Sequence, residues 1–150
     1  MNHERYELKT DLEVSIFRFV SNGRNGKIPK LVIFQQTATE NVYNLAFGDE
    51  NVETGDIDDE VITNNGDSQK VLATVASTIY SFTHKYPKAI VAATGSNKAR
   101  TRLYRMGISN HLEEIAKDFN VFGLKDNIWL PFEKNTEYEA FFIKRKKRKK

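Results

Sequence analysis

The chain contains no cysteine, and it has only three prolines and three histidines among its 150 residues. The absence of cysteine excludes disulfide bonds, thiolate metal sites and cysteine nucleophiles. The histidines (His3, His84 and His111) are scattered, so we expect no metal site. No apolar run approaches the roughly 18 residues of a membrane span, and the charged N-terminus is unlike a signal peptide. These absences predict a cytoplasmic protein without a membrane segment.

The net charge of +3 hides an uneven distribution. Residues 144–150 are all lysine or arginine, so residues 1–143 together carry a net charge of −4. A run of like charges repels itself and usually stays disordered. We therefore predict a single domain over residues 1–143 and a flexible basic tail over residues 144–150, whose removal should leave the fold intact. Residues 49–67 contain eight acidic side chains and no lysine or arginine, and this stretch is predicted to be a loop.

Hydrophobic periodicity predicts an α+β domain. Residues 6–22, 27–37 and 42–47 are expected to form an antiparallel meander, in which Pro29 suggests an edge position or a bulge. A helix should follow from Ser68 to the stop at Tyr86-Pro87, and a second helix is expected at 97–118, with Gly107 as a candidate break. The remaining predicted strands are 88–94, 120–124, 128–132 and 137–144. The order β-β-β-α-β-α-β-β-β, with two main helices, predicts a mixed, mainly antiparallel sheet, with residues 88–94 covered on both faces.

A cationic helix start is the strongest candidate site. A buried strand leads to a Gly-Ser turn and then at once to a helix, whose N-terminal N–H groups favour an anion. Lys98, Arg102 and Arg105 fall within about 60° of one another on the helical wheel, while Arg100 and Tyr104 share another side. The candidate anion ligands are Gly95, Ser96, Asn97, Lys98, Arg100, Arg102 and Arg105. Phosphate, nucleotide or a nucleic-acid backbone would suit them, and an ordinary solvated basic face is the alternative.

A polar segment before the first helix is a second candidate. Asn64, Asn65, Gly66 and Asp67 could orient a substrate, or could simply form a turn and a helix cap. We find no nucleophile–base motif. The aromatic residues of the first three strands are expected in the core, whereas Trp129 is the better candidate for an exposed aromatic side chain.

Two resemblances to known families are visible. The runs Asn65-Gly66-Asp67, 71–75 and 95–104 resemble a small bacterial family of uncharacterised function, over residues 5–145. More loosely, the order of elements and the run containing Asn97, Tyr104 and Gly107 resemble the acetyl-coenzyme A-dependent N-acetyltransferase superfamily. That second resemblance implies an acetyltransferase-like fold, coenzyme A near the strand–helix junctions, and Tyr104 as general acid toward the departing thiolate. Residues 64–69 hold one glycine where that superfamily has several.

Two functions follow as hypotheses. In the first, the protein is not an enzyme, needs no cofactor, and binds nucleic acid or an acidic protein through Lys98, Arg102, Arg105 and the basic tail. A toxin–antitoxin, defence or phage-related role would fit such a protein. In the second, it is an N-acyltransferase-like enzyme that uses acetyl-coenzyme A.

Overall fold

Eight strands form one mixed sheet in a computed structural model that describes residues 4–58, 64–94 and 98–147. The strands are β1 (Lys9–Thr10), β2 (Ile16–Gly23), β3 (Gly26–Gln36), β4 (Val42–Asp49), β5 (Ile90–Ala93), β6 (Phe119–Lys125), β7 (Ile128–Pro131) and β8 (Ala140–Arg145). Their order across the sheet is β1-β2-β3-β4-β5-β8-β6-β7. The pair β4–β5 is parallel and the other pairs are antiparallel, so the prediction of a mixed, mainly antiparallel α+β fold is confirmed.

Proline 29 lies in an internal strand, so its predicted edge position is wrong. The strand β3 pairs with β2 on one side and β4 on the other. The last β3–β4 ladder pair is Lys30 with Asp49, and the Pro29 carbonyl accepts a hydrogen bond from Glu50 N at 3.0 Å. In an antiparallel ladder the N–H and C=O of a residue point to the same side. The nitrogen of Pro29 therefore faces Glu50 at the end of the β3–β4 ladder, where this pair keeps the bond from Glu50 N and lacks the reciprocal one.

The described residues contain three helices where two main helices were predicted. They are α1 (Ser68–Lys85), α2 (Lys98–Asn110) and α3 (Leu112–Asp118). The predicted second helix breaks at His111 and not at Gly107, which lies inside α2. A Cβ atom at Gly107 would come within 3.0 Å of Leu72 in α1. The glycine thus serves the close packing of the two helices.

The helices pack on one face of the sheet. Their buried side chains share one hydrophobic cluster with Phe17, Phe34, Phe47 and Val91, which alternation places on the same side of their strands. The strand β5 was predicted to be covered on both faces, but its Val91 and Ala93 are buried while Ile90 and Ala92 are only half-buried. The reason is that no described helix packs on the opposite face of the sheet, where the segment around Ile57 covers only the part near Leu31 and Gly48. We call this opposite surface the open face.

The last strand extends into the predicted tail. Lys144 pairs with Ile90 and Arg145 pairs with Phe119, so the first two residues of the 144–150 segment belong to the sheet. The Arg145 guanidinium donates to Thr83 Oγ1 at 2.8 Å and to the Tyr80 carbonyl at 2.9 Å. A like-charged run can be ordered when backbone ladder bonds and buried partners hold its first residues.

No helix in residues 4–58, 64–94 or 98–147 is long and apolar enough to cross a membrane.

Candidate functional site

The strands β4 and β5 pair over only three residues. Val42, Tyr43 and Asn44 face Ile90, Val91 and Ala92, and β4 then continues to Asp49 while β5 ends at Ala93. Side chains from α2 fill the gap that this divergence leaves. Arg100 donates from Nη1 to the Phe47 carbonyl at 3.1 Å and from Nη2 to the Asp58 carbonyl at 2.6 Å. The backbone of Phe47 also hydrogen-bonds the Tyr104 hydroxyl.

The side chains of Arg100 and Tyr104 are therefore buried and hydrogen-bonded to the backbone of other segments. Their exposed fractions are 5% and 7%. The sequence correctly placed both residues on one side of the helix, but it included Arg100 among the anion ligands, and the guanidinium instead binds backbone carbonyls. Burial raises the pKa of Tyr104 to about 12, against an opposing effect of the Arg100 charge. The hydroxyl thus keeps its proton at neutral pH.

A cleft of about 630 Å³ opens beside this gap on the open face. Its walls come from β3, β4, the 56–57 segment, Thr94 and α2. Arg100 and Tyr104 are part of this lining, but the candidate loop residues 64–67 are not among the residues that form it. Tyr104 and this segment, which the acetyltransferase resemblance would place at one site, thus line different clefts.

Residues 64–67 hold the β2–β3 hairpin. Asn65 is 2% exposed, and its Oδ1 accepts from Asn25 N at 2.6 Å. Its Nδ2 donates to Ser21 Oγ at 3.1 Å and to the Gly26 carbonyl at 2.9 Å, and its carbonyl accepts from Arg24 N. The Asn65 side chain therefore satisfies polar groups of the β2–β3 turn, which lies about 40 residues earlier in the chain. The backbone of Asn65 approaches this turn closely at Gly23.

The neighbours of Asn65 support the same arrangement. Asp67 Oδ2 accepts from Ser21 Oγ at 2.5 Å and from the Tyr6 hydroxyl at 2.6 Å, but the carboxylate makes no cap bond to α1. Asn64 Oδ1 accepts from Gly66 N, and Gly66 has a φ of 78°, a conformation that suits glycine. Asp67 thus occupies the predicted N-cap position of α1, but its carboxylate binds side chains of the N-terminal segment and β2 instead of the helix N–H groups.

The predicted basic face of α2 lines a cleft of mixed charge. Lys98, Arg102 and Arg105 lie together there, as the helical wheel predicts. The volume of the cleft is about 660 Å³, and Lys125 adds a fourth cation. Three carboxylates, those of Asp126, Glu137 and Glu139, share the same lining and offset most of this charge. Gly95, Ser96 and Asn97 lie outside the described residues.

A second and more basic groove lies at the other end of the sheet. It has a volume of about 890 Å³ and is formed where α1 and α3 end, where β5 begins and where β8 ends. We call it the basic groove. Its cationic lining consists of Lys88, Lys117, Lys144, Arg145, Lys146 and Lys147, and among the described lining residues Asp118 supplies the single carboxylate. Sequence reasoning missed Lys88 and Lys117, because neither stands in a basic run.

Two cations of the groove also bind helix carbonyls. Arg145 donates to the Tyr80 carbonyl within α1, whereas Lys146 Nζ donates to the Ala116 carbonyl in the last turn of α3 at 2.5 Å. Cations are stabilising at helix C-termini, where carbonyl groups are left without helical partners. Lys88, Lys117 and Lys147 are exposed and Lys144 is half-buried, so these four present charge to the solvent.

The two basic surfaces lie at opposite ends of β8. The α2 cleft includes Glu139 just before the strand begins, whereas the groove includes Lys144 and Arg145 at its end. Five residue steps at about 3.3 Å each separate these ends by roughly 17 Å. The α2 face and the C-terminal segment therefore do not form one continuous patch.

Other candidates are placed individually. Trp129 is 44% exposed on β7, which agrees with the prediction of an exposed aromatic residue. His111 is buried at the start of α3, and His84 lies on the surface at the end of α1. Within the part of the chain that the structure describes, no group of three or more His, Asp or Glu residues could hold a metal ion.

Comparison with known proteins assigns a family without an activity. The chain matches the model of a family of unknown function, DUF6934, over residues 2–146. It therefore belongs to that family, which confirms the predicted resemblance to an uncharacterised family. Neither a curated protein nor a solved structure matches it.

Proposed function

We propose that this member of a family of unknown function binds nucleic acid through the basic groove. The observation that carries the proposal is the charge of the groove, in which six lysine or arginine residues surround one carboxylate among the described lining residues. A polyanion releases its condensed counterions when such side chains neutralise its phosphates. The sequence adds three further cations in residues 148–150. The α2 cleft is the weaker candidate because four cations there face three carboxylates.

The expected salt dependence follows from the geometry. Lys88, Lys117, Lys144 and Lys147 present their charge to solvent, while Arg145 and Lys146 are held by helix carbonyls. Four phosphate contacts give a slope of log K against log salt near −3.6 for a duplex, and roughly a 100-fold loss of affinity between about 50 and 200 mM salt. Contacts from residues 148–150 would steepen this slope.

The test is fluorescence anisotropy with labelled duplex DNA, single-stranded DNA and RNA across a salt series. The double variant Lys88→Glu, Lys117→Glu should weaken binding and reduce the slope by about 2. Lys27→Glu, Lys134→Glu makes the same charge change at exposed lysines outside the groove, and it should change affinity much less. Equal effects of the two double variants would overturn the groove as the binding surface.

The second anionic partner predicted from the sequence is an acidic protein. A groove that binds a folded acidic surface would not show the linear counterion-release slope of a polymer with closely spaced phosphates. Failure of all three nucleic acids to bind at low salt would reject the proposal and leave the acidic protein as the partner to seek.

The coenzyme A alternative fits the residues less well. The position of Tyr104 beside a cleft favours it, but burial raises the pKa of Tyr104 to about 12, which makes its hydroxyl a weak proton donor at neutral pH. In addition, the segment that would hold the diphosphate is already committed, since Asn65 and Asp67 bind the β2–β3 hairpin and Tyr6. We expect acetyl-coenzyme A to leave the melting temperature unchanged; a stabilisation that Tyr104→Phe abolishes would favour the enzyme instead.

A further inference from the structure

Three aromatic side chains form a cluster on the open face near the β7 edge of the sheet. The rings of Phe122 and Phe142 are stacked with centroids 4.6 Å apart and an interplanar angle of 18°. Trp129 meets Phe142 at 4.8 Å and 70°. Strand register places Phe122 opposite Phe142, and Trp129 opposite Leu124, so all three rings lie on the same side. We call Phe122, Trp129 and Phe142 the aromatic cluster.

The aromatic cluster is exposed and is not part of the hydrophobic core. All three helices pack on the other face, and β7 is an exposed strand throughout its length. Trp129 is 44% exposed, while Phe122 and Phe142 are half-buried. Apolar groups at a sheet edge invite association with another molecule. A cluster of three such rings on an open sheet is thus a surface that a planar ligand could cover.

The charge of the neighbouring surface indicates which ligand. Phe142 and Lys144 lie two residues apart in β8 and therefore on the same face, about 7 Å apart along the strand. Lys144 is also part of the basic groove. Phe142 thus adjoins the groove, while the register sets Trp129 level with Ala140, four residues and about 13 Å along β8 from Lys144. A strand whose phosphates follow the lysines could therefore reach the rings by running along the open face from Lys144 toward Trp129. Base–aromatic stacking beside a basic path is the usual way in which proteins hold single strands.

We infer that the aromatic cluster stacks the bases of a single-stranded nucleic acid whose backbone follows the basic groove. This inference rests on the proposed function and deepens it by naming the strand state of the ligand. In a duplex the bases are already stacked on each other, so a duplex would use the groove alone. Single strands should therefore bind with an additional contribution that does not depend on salt.

The chain carries its own probe, because Trp129 is its single tryptophan. A base stacked on the indole should quench its fluorescence, so single-stranded oligonucleotide is titrated against the wild-type protein and compared with the matching duplex. Labelled single strands are then titrated by anisotropy with Trp129→Ala, with Trp129→Phe, and with Leu12→Ala as a control for loss of an exposed apolar side chain. Leu12 is 97% exposed and lies outside the cluster. Circular dichroism confirms that each variant is folded.

We expect saturable quenching by single strands and little by duplex. Trp129→Ala should weaken single-strand binding at least about fivefold, with duplex affinity unchanged. Trp129→Phe should retain most of the affinity because it keeps an aromatic face, and Leu12→Ala should have no effect. If single strands bind in a way that depends on Lys88 and Lys117 but Trp129→Ala changes nothing, the stacking is refuted while the groove stands. If no nucleic acid binds, both proposals fail. A concentration-dependent change of Trp129 fluorescence without nucleic acid would show that a second copy covers the cluster, and would also refute the inference.

Discussion

The replacement Asn65→Ala should destabilise the fold strongly although it lies in a loop. The Asn65 side chain is 2% exposed and makes three hydrogen bonds to the β2–β3 hairpin, to Asn25 N, Ser21 Oγ and the Gly26 carbonyl. Alanine can make none of them. Ser21 keeps its bond to Asp67, so the main losses are a partner for one backbone N–H and one for a backbone carbonyl.

The expected loss of stability follows from these two backbone groups, which are left without their partner. A buried polar group left without its partner costs about 1–3 kcal/mol. Both of these hydrogen bonds are only partly buried, so each lost partner is taken at about 1.5 kcal/mol, in the lower part of that range, and the two together give roughly 3 kcal/mol. That is a large part of the roughly 5–15 kcal/mol by which domains are stable. With a urea m value of about 2 kcal/mol/M for a domain of this size, the midpoint should fall by roughly 1.5 M.

The assay is equilibrium urea unfolding followed by circular dichroism. Asn64→Ala is the matched control, because the exposed Asn64 side chain bonds only the nearby Gly66 N, and its carbonyl bond to Asn25 is kept. We expect the control to cost less than about 1 kcal/mol. Equal stability of the two variants would refute the view that Asn65 holds the hairpin. Residues 64–67 would then again be a candidate ligand-binding segment.

Two further predictions concern the C-terminal segment and the buried tyrosine. Deletion of residues 147–150 should change the free energy of unfolding by less than about 0.5 kcal/mol. Arg145→Ala should lower it by about 2 kcal/mol, because the hydrogen bonds of the guanidinium to α1 are lost. Equal losses in urea unfolding would contradict the view that Arg145 stabilises the fold and residues 147–150 do not. The raised pKa of Tyr104 means that its contribution to stability is complete below pH 10 and is lost as the pH rises through about 12. Burial also raises the pKa of Tyr80, so both proteins should lose stability between pH 8 and about pH 11.5, and the loss in urea unfolding should be roughly 2 kcal/mol larger in the wild-type protein than in Tyr104→Phe. An identical pH dependence in both proteins would show that Tyr104 does not titrate as stated.

Much of the fold follows from local patterns. The meander of β2, β3 and β4 and the extent of α1 could be predicted because alternation and helical spacing repeat over many residues. The break of the second helix could not, because the local cost of Gly107 is outweighed by its packing against Leu72, a residue distant in sequence. The predicted burial of both faces of β5 failed for a similar reason. A short apolar run does not reveal whether helices will cover one side of the sheet or two.

The sequence by itself determined the order of the main elements, although not the short β1 or the division between α2 and α3, and it determined the neighbours on each helix face and the charge of each segment. It therefore placed Lys98, Arg102 and Arg105 together, and it identified the basic C-terminal residues. Only the tertiary structure decided which charges meet across elements. It set three carboxylates beside the α2 cations, and it joined Lys88 and Lys117 to the C-terminal lysines at the far end of β8. The physical reason is that periodicity acts over a few residues, whereas strand pairing and helix packing bring together side chains tens of residues apart.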